Sequence, residues 1–276
     1  MKALQQLGGW PVGSAAAAVV TADGVVATQG PQDRRFPLAS VTKLLTAYAV
    51  HTAVEEGALE YGTPAGPPGS TVRHLLAHTS GLAFNEDRAT AAPGTRRLYS
   101  NTGFEVLAEA VQKATDIAFP EYLAQAVLEP LGMGDSALAG PAGSGGVSTA
   151  ADLSRFAAEL LRPRLLDPAT VEDATLRVAF PGLSGVLPGL GHQRPNDWGL
   201  GFEIRDHKSP HWTGAHSSPR TFGHFGQSGT FLWVDPDAAG GPAALVVLTD
   251  RDFDAWAREL WPPLTDAVLA ELGQAG

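Results

Sequence analysis

The chain has 276 residues, enough to bury a substantial core in one domain or two small lobes. Its formal net charge of −10, with 29 acidic against 19 basic residues and no Lys/Arg run, argues against nucleic acid or an anionic membrane as a partner. Apolar residues at 44% exclude a disordered polymer, and the absence of cysteine excludes a disulfide framework, a thiolate metal site and a cysteine nucleophile.

In chain order, Gln5, Gln6, Gly8 and Gly9 interrupt the apolar stretch of roughly 7–15 residues that a secretory leader needs. Residues 15–20 are apolar but fall short of the roughly 20 that span a bilayer. The expectation is a cytoplasmic protein, unless a leader has been removed. Residues 15–20 and 25–29 flank Ala22-Asp23-Gly24 and predict a hairpin. From Ser40 to Glu56 the pattern turns helical, with Val41, Leu44, Leu45, Tyr48 and Ala49 on one face. Residues 61–70 read as loop. Helices are predicted over 71–78, 102–114, 120–128 (with Pro120 in the first turn) and 149–161, where Thr149 and Asp152 resemble a capping box. Residues 140–146 and 181–197 read as Gly-rich loops. Strand character returns after Trp198. The clearest hairpin is 230–234 with 243–249, turning through Asp235-Pro236-Asp237. A final helix over 254–272 is expected to break at Pro262-Pro263. Strands at both chain ends around a helical block predict an α/β or α+β layout, with a sheet lobe from 1–57 and 190–276, a mainly helical lobe from 58–189, and a site at their junction.

The chemistry-bearing segment is Ser40-Val41-Thr42-Lys43. Ser and Lys three apart lie on one helix face, so the amine reaches the hydroxyl. A Ser hydroxyl needs a base to become a nucleophile, and Lys serves as one only when neutral. The chain holds 15 Arg but 4 Lys, and one of the four falls here. With 14 Ser, chance alone supplies roughly 0.2 such pairs, so the pair carries weight only with its context.

That context is extensive. Phe36-Pro37-Leu38-Ala39-Ser40-Val41-Thr42-Lys43-Leu44 resembles the nucleophile segment of the serine β-lactamase and penicillin-binding protein superfamily. Tyr99-Ser100-Asn101 resembles the Tyr-x-Asn second motif of the class C branch, and Gly223-His224-Phe225-Gly226 its third motif in the His-x-Gly form. Flanking phrases such as Leu75-Leu76-Ala77-His78-Thr79-Ser80-Gly81-Leu82 and Leu232-Trp233-Val234-Asp235-Pro236 also resemble that branch, in the same order, from about 15 to 270.

The resemblance implies a β-lactamase/transpeptidase-like fold with an antiparallel sheet, and a serine hydrolase acting without metal or cofactor. Ser40 would attack a carbonyl, and Lys43 and Tyr99 would share the proton traffic, with the choice of base left open. Asn101 would bond Lys43 and the acyl group, while the backbone N–H groups of Ser40 and Gln227 would form the oxyanion hole. His224, Phe225 and Gly226 would border the substrate.

Two departures shape the expected substrate. Phe225 stands where a carboxylate-binding Thr or Ser is common, so it is expected to narrow the cleft, with Arg220 as an alternative contact for an anion. His224 replaces Lys, which predicts a pH-dependent charge. Both changes, with short 58–72 and 84–98 segments and hence a more open cleft, favour a small ester or amide. β-Lactamase or D-Ala-D-Ala carboxypeptidase activity is the alternative, and a catalytically silent binding protein the second. No partner beyond a small-molecule ester, amide or peptide is implied, and no oligomeric state. The Gly-x-Ser-x-Gly elbow is absent, since Gly226-Gln227-Ser228-Gly229-Thr230 fails at its last position. The His74/His78 pair has metal-ligand spacing but Leu75 in place of the usual Glu and no obvious carboxylate-rich partner, and His207/His211 share that spacing in a loop containing Pro210, so no metal is expected.

Overall fold

The computed structural model describes residues 1–275. After a 3₁₀ segment over Ala3–Gly9, β1 (Ala15–Thr21) and β2 (Gly24–Gln29) form the expected hairpin. Then come β3 (Phe36–Pro37), a 3₁₀ turn (Ala39–Val41), α1 (Thr42–Glu55), α2 (Val72–Leu76), α3 (Thr102–Thr115) and α4 (Phe119–Leu123), which runs into a π turn (Ala124–Leu128). They are followed by β4 (Ala137–Leu138), β5 (Gly146–Ser148), α5 (Ala150–Leu161) and α6 (Pro168–Thr175). The chain closes through β6 (Gly185–Leu187), β7 (Gly191–Gln193), β8 (Glu203–Ile204), β9 (Phe222–Gly226), β10 (Thr230–Asp235), β11 (Ala243–Thr249) and α7 (Ala255–Ala275).

The main sheet has the order β2-β1-β11-β10-β9-β8. Its centre joins the two ends of the chain: β1 lies antiparallel to β11, with Ala15 opposite Thr249 and Thr21 opposite Ala243. Successive strand residues point to opposite faces, and here both faces are covered. Ala16, Val20, Leu232, Val234, Val246 and Leu248 join the core made with α1, α3 and α5. Ala17, Val19, Phe231, Trp233, Leu245 and Val247 join a second core with the N-terminal 3₁₀ segment and α7. This explains why residues 243–249 are apolar without alternation: every one of them is buried.

α5 forms as read. The Thr149 hydroxyl caps it by accepting the Asp152 N–H at 3.1 Å. The Asp152 carboxylate does not complete a reciprocal box; it holds Asp135 N–H, the Ser136 hydroxyl and Arg155. Although it falls within the 58–189 block, α5 packs on β1 and β11, because Leu153, Phe156, Ala157 and Leu160 give it one apolar face. Two expectations fail. α7 runs unbroken through Pro262 and Pro263; the buried Trp256, Trp261, Leu264 and Val268 dock it firmly enough to offset the ~3 kcal/mol an internal Pro costs. The stretch 181–197 is not all loop but contains the β6–β7 hairpin. Its strands are three residues long and carry Gly185 and Gly191, too short for a periodic signal.

Candidate active site

The turn that carries Ser40 is set by backbone geometry. Ala39 is held at φ +44°, a left-handed conformation that costs a non-glycine residue of order 1–3 kcal/mol, and it turns the chain from β3 into α1 with Ser40 at the bend. β9 lies hard against this turn. A Cβ at Gly226 would overlap the Leu38 carbonyl oxygen and come within 3.2 Å of Ala39 Cβ, so only glycine lets the third motif approach the first. The Ser228 and Thr230 hydroxyls then donate to the carbonyls of Pro37 and Leu38, at 2.7 and 2.9 Å. The backbone N–H groups of Ser40 and Gln227 have no acceptor among the described residues. Gln227 itself is pinned by two bonds to Phe253, its carbonyl accepting the N–H at 2.7 Å and its Nε2 donating at 3.0 Å.

Lys43 is fully buried in the first turn of α1. Its Nζ lies 3.3 Å from Ser40 Oγ, and it donates to Asn101 Oδ1 at 2.5 Å and to the Gly143 carbonyl at 2.6 Å. Burial lowers its pKa to about 7; the Glu105 carboxylate opposes that shift. Glu105 also shapes the site mechanically, because its two oxygens accept the N–H groups of Ala142 and Gly143 and so aim the Gly143 carbonyl at Lys43. Asn101 is held in turn: its N–H donates to the Phe84 carbonyl and its Nδ2 to Asn85 Oδ1.

Tyr99 precedes α3. Its ring stacks on His78 at 4.4 Å between centroids, with Phe84 and Trp198 at 5.8 Å and Lys43 Nζ 4.8 Å from its centre. Burial raises its pKa, so the phenol stays protonated. The tautomer of His224 follows from its partners. Its Nδ1 lies 2.6 Å from the Phe225 carbonyl, which only accepts, so Nδ1 carries the proton. Nε2 is then an acceptor, and the Tyr99 hydroxyl donates to it at 3.0 Å.

The structure brings Ser40, Lys43, Tyr99, Asn101 and His224 together, with Gly226 and Gln227 alongside. It corrects three expectations. Burial, reinforced by the positive charge of Lys43, lowers the His224 pKa to about 3, so its charge does not vary near neutral pH. Phe225 does not line the cleft: its neighbour His224 faces Tyr99, strand alternation turns the phenyl ring to the opposite side, and it packs on Phe253, Trp212 and Trp261 in the second core. Arg220 pairs with Asp237 beyond the far end of β9.

Of the histidine pairs, His74 bonds Thr71 while His78 accepts the Ser100 N–H and supports Tyr99. His211 belongs to a buried cluster in which Glu203 accepts from Lys208, His211 and Trp212. Sequence reasoning missed Glu105, the Gly143 carbonyl and His78. An acidic residue in the first turn after Asn101 was the one available signal for Glu105.

A family profile described as Beta-lactamase matches residues 6–270. The crystal structure of a β-lactamase from Mycobacterium bovis is 63% identical, with a TM-score of 0.96 over 98% of this chain and 99% of that one. A mutant simvastatin synthase from Aspergillus terreus shares the fold at 18% identity, with a TM-score of 0.81 over 99% of this chain and 94% of that one. Penicillin-binding protein 4* of Bacillus subtilis is 30% identical over 37% of this chain and 30% of its own length. The D-alanyl-D-alanine-carboxypeptidase/endopeptidase AmpH of Escherichia coli is 25% identical over 36% of this chain and 35% of its own length. The matched segments thus span about a third of these two curated relatives. With three motifs in family order, an antiparallel sheet closed by both chain ends and a profile match across nearly the whole length, the chain belongs to the β-lactamase family.

Proposed function

We propose that the protein is a serine hydrolase that forms an acyl-enzyme at Ser40 and hydrolyses small neutral esters, with Lys43 as the base. The observation that carries this reading is the set of partners around Lys43 Nζ. Two of its three neighbours, Asn101 Oδ1 and the Gly143 carbonyl, can only accept. Once neutral, the amine spends its two protons on them and turns its lone pair to the third neighbour, Ser40 Oγ. A pKa of about 7 makes the neutral form available near neutral pH. Tyr99, kept protonated and committing its one proton to His224, is unsuited to service as a phenolate base.

The steps follow. Ser40 Oγ bonds to the carbonyl carbon as its proton passes to Lys43, and the developing oxyanion meets the N–H groups of Ser40 and Gln227. The carbon–alkoxy bond then breaks, and the Lys43 ammonium returns the proton to the departing oxygen. Water, deprotonated by the same amine, attacks the acyl carbon; the bond to Ser40 Oγ breaks, the Lys43 ammonium returns its proton to that oxygen, and the carboxylic acid leaves. The preference for neutral substrates rests on His224. A neutral imidazole in the third motif offers no fixed positive charge to a substrate carboxylate, and an unmet bond to a charged group costs roughly 1.5–3 kcal/mol.

The partial likeness to AmpH supports a second reading, D-Ala-D-Ala carboxypeptidase activity. A panel of p-nitrophenyl acetate, nitrocefin and a D-Ala-D-Ala peptide decides between them. The expected order has the ester highest in kcat/KM by tenfold or more, with all turnover lost in Ser40→Ala. Peptide or nitrocefin turnover exceeding that of the ester contradicts the substrate assignment.

A further inference from the structure

Beside Tyr99 lies an open hollow of about 370 Å³ lined by residues that include Leu82, Phe84, Leu98, Tyr99, Val186 and Pro188. The polar groups in its walls are already engaged. The buried Arg97 guanidinium donates to the carbonyls of Ala77, Ala179, Phe180 and Asn196. The Thr90 hydroxyl donates to the Gly81 carbonyl, and that of Tyr99 to His224. What remains is apolar. The two lips, Phe84 and Val186, are 49% and 56% exposed, among the few large apolar side chains of the described residues to face solvent.

The lips are anchored to the strand of chain that carries the catalytic residues. Asn101 N–H donates to the Phe84 carbonyl at 2.7 Å, and Arg97 N–H donates to the Ser184 carbonyl at 3.1 Å. A Cβ at Gly185 would overlap the Arg97 carbonyl oxygen, so the β6–β7 hairpin sits directly on the segment leading to Tyr99. An apolar, pre-formed hollow that touches the Tyr99 ring has the make-up of a binding subsite. At roughly 30 Å³ per water-sized group it holds about a dozen such groups, which leaves ample room for a chain of six to eight carbons or a substituted phenyl ring.

We infer that this cavity is a specificity subsite for an uncharged apolar substituent of the ester, six to eight carbons in extent, held between Phe84 and Val186 beside Tyr99. The inference rests on the Ser40 acyl-enzyme reading and narrows it from small neutral esters to esters with one extended apolar arm. Each methylene fully withdrawn from water is worth roughly a fourfold gain.

The test measures kcat/KM along two series, p-nitrophenyl acetate to octanoate and methyl to octyl acetate, which distinguish an acyl arm from an alcohol arm. The expected result is a rise of at least tenfold by six carbons in one series. Val186→Asp or Phe84→Asp flattens that rise, and Val186→Leu preserves it. If acetate hydrolysis depends on Ser40 but neither series rises, the subsite is wrong and the proposed function stands. If no ester is turned over, the proposed function is wrong, and the subsite is decided by calorimetric binding to Ser40→Ala protein. There octanamide is expected to bind at least tenfold more tightly than acetamide, with the margin lost in Val186→Asp. Equal affinity of the two amides overturns the inference.

Discussion

A buried lysine beside a serine is an expensive arrangement, and its cost has a pH signature. The Lys43 pKa falls from an ordinary 10.5 in the unfolded chain to about 7 in the folded one. Between those values the unfolded state binds the extra proton, so stability rises with pH through this window, and the penalty is greatest below about pH 7. Replacing Lys43 by Met removes the titration. The stability difference between Lys43→Met and the parent, measured by urea unfolding, is expected to move in the parent's favour by about 2–3 kcal/mol between pH 6 and pH 9. A difference independent of pH would mean that Lys43 keeps an ordinary pKa. Lys43→Arg keeps a charge but no releasable proton, so it is expected to be nearly as inactive as Lys43→Ala. The Ser-x-x-Lys spacing made this pair legible in the sequence. The groups that tune it were not, because a backbone carbonyl such as that of Gly143 has no side-chain signature. Phe225 was misplaced for an avoidable reason, since a strand with His224 facing the cleft turns residue 225 away from it.

The elements matter through how closely they approach one another. β9 reaches the turn at Ser40 only because Gly226 has no side chain, and the strained Ala39 is held in place by the hydroxyls of Ser228 and Thr230, which bond the carbonyls just before it. Gly226→Ala is expected to cost about 1–3 kcal/mol of stability and to lower kcat by about a hundredfold, through displacement of Ser40 by as little as 1 Å. The measurements are a urea melt and single-turnover kinetics, and wild-type kcat in a folded variant would remove the close approach from the account. Elements with a one-sided apolar pattern, such as α3 and α5, were readable. β6 and β7 were not, since three-residue strands are specified by their seat on Arg97 rather than by their own sequence. α7 defied the Pro262-Pro263 signal because tertiary packing outweighed local propensity.

At the scale of the whole molecule, the pairing of β1 with β11 closes the sheet across the full chain and sets β9 opposite the helices that carry Ser40, Lys43 and Asn101. The layout of strands at both ends around a helical block was legible from order alone. The placement of α5 on the sheet was not, because an amphipathic face says that a helix packs but not against what. The site is a product of this closure: the turn at Ser40, the segment around Tyr99 and β9 are remote in sequence and meet only in the folded chain. The account stands or falls on covalent chemistry at one atom. Brief incubation with p-nitrophenyl acetate or a fluorophosphonate, followed by intact-mass spectrometry and peptide mapping, is expected to show one adduct on Ser40 in the parent and none in a folded Ser40→Ala variant. An adduct on Ser80, Ser100 or Ser228, or ester turnover that survives Ser40→Ala, would contradict it.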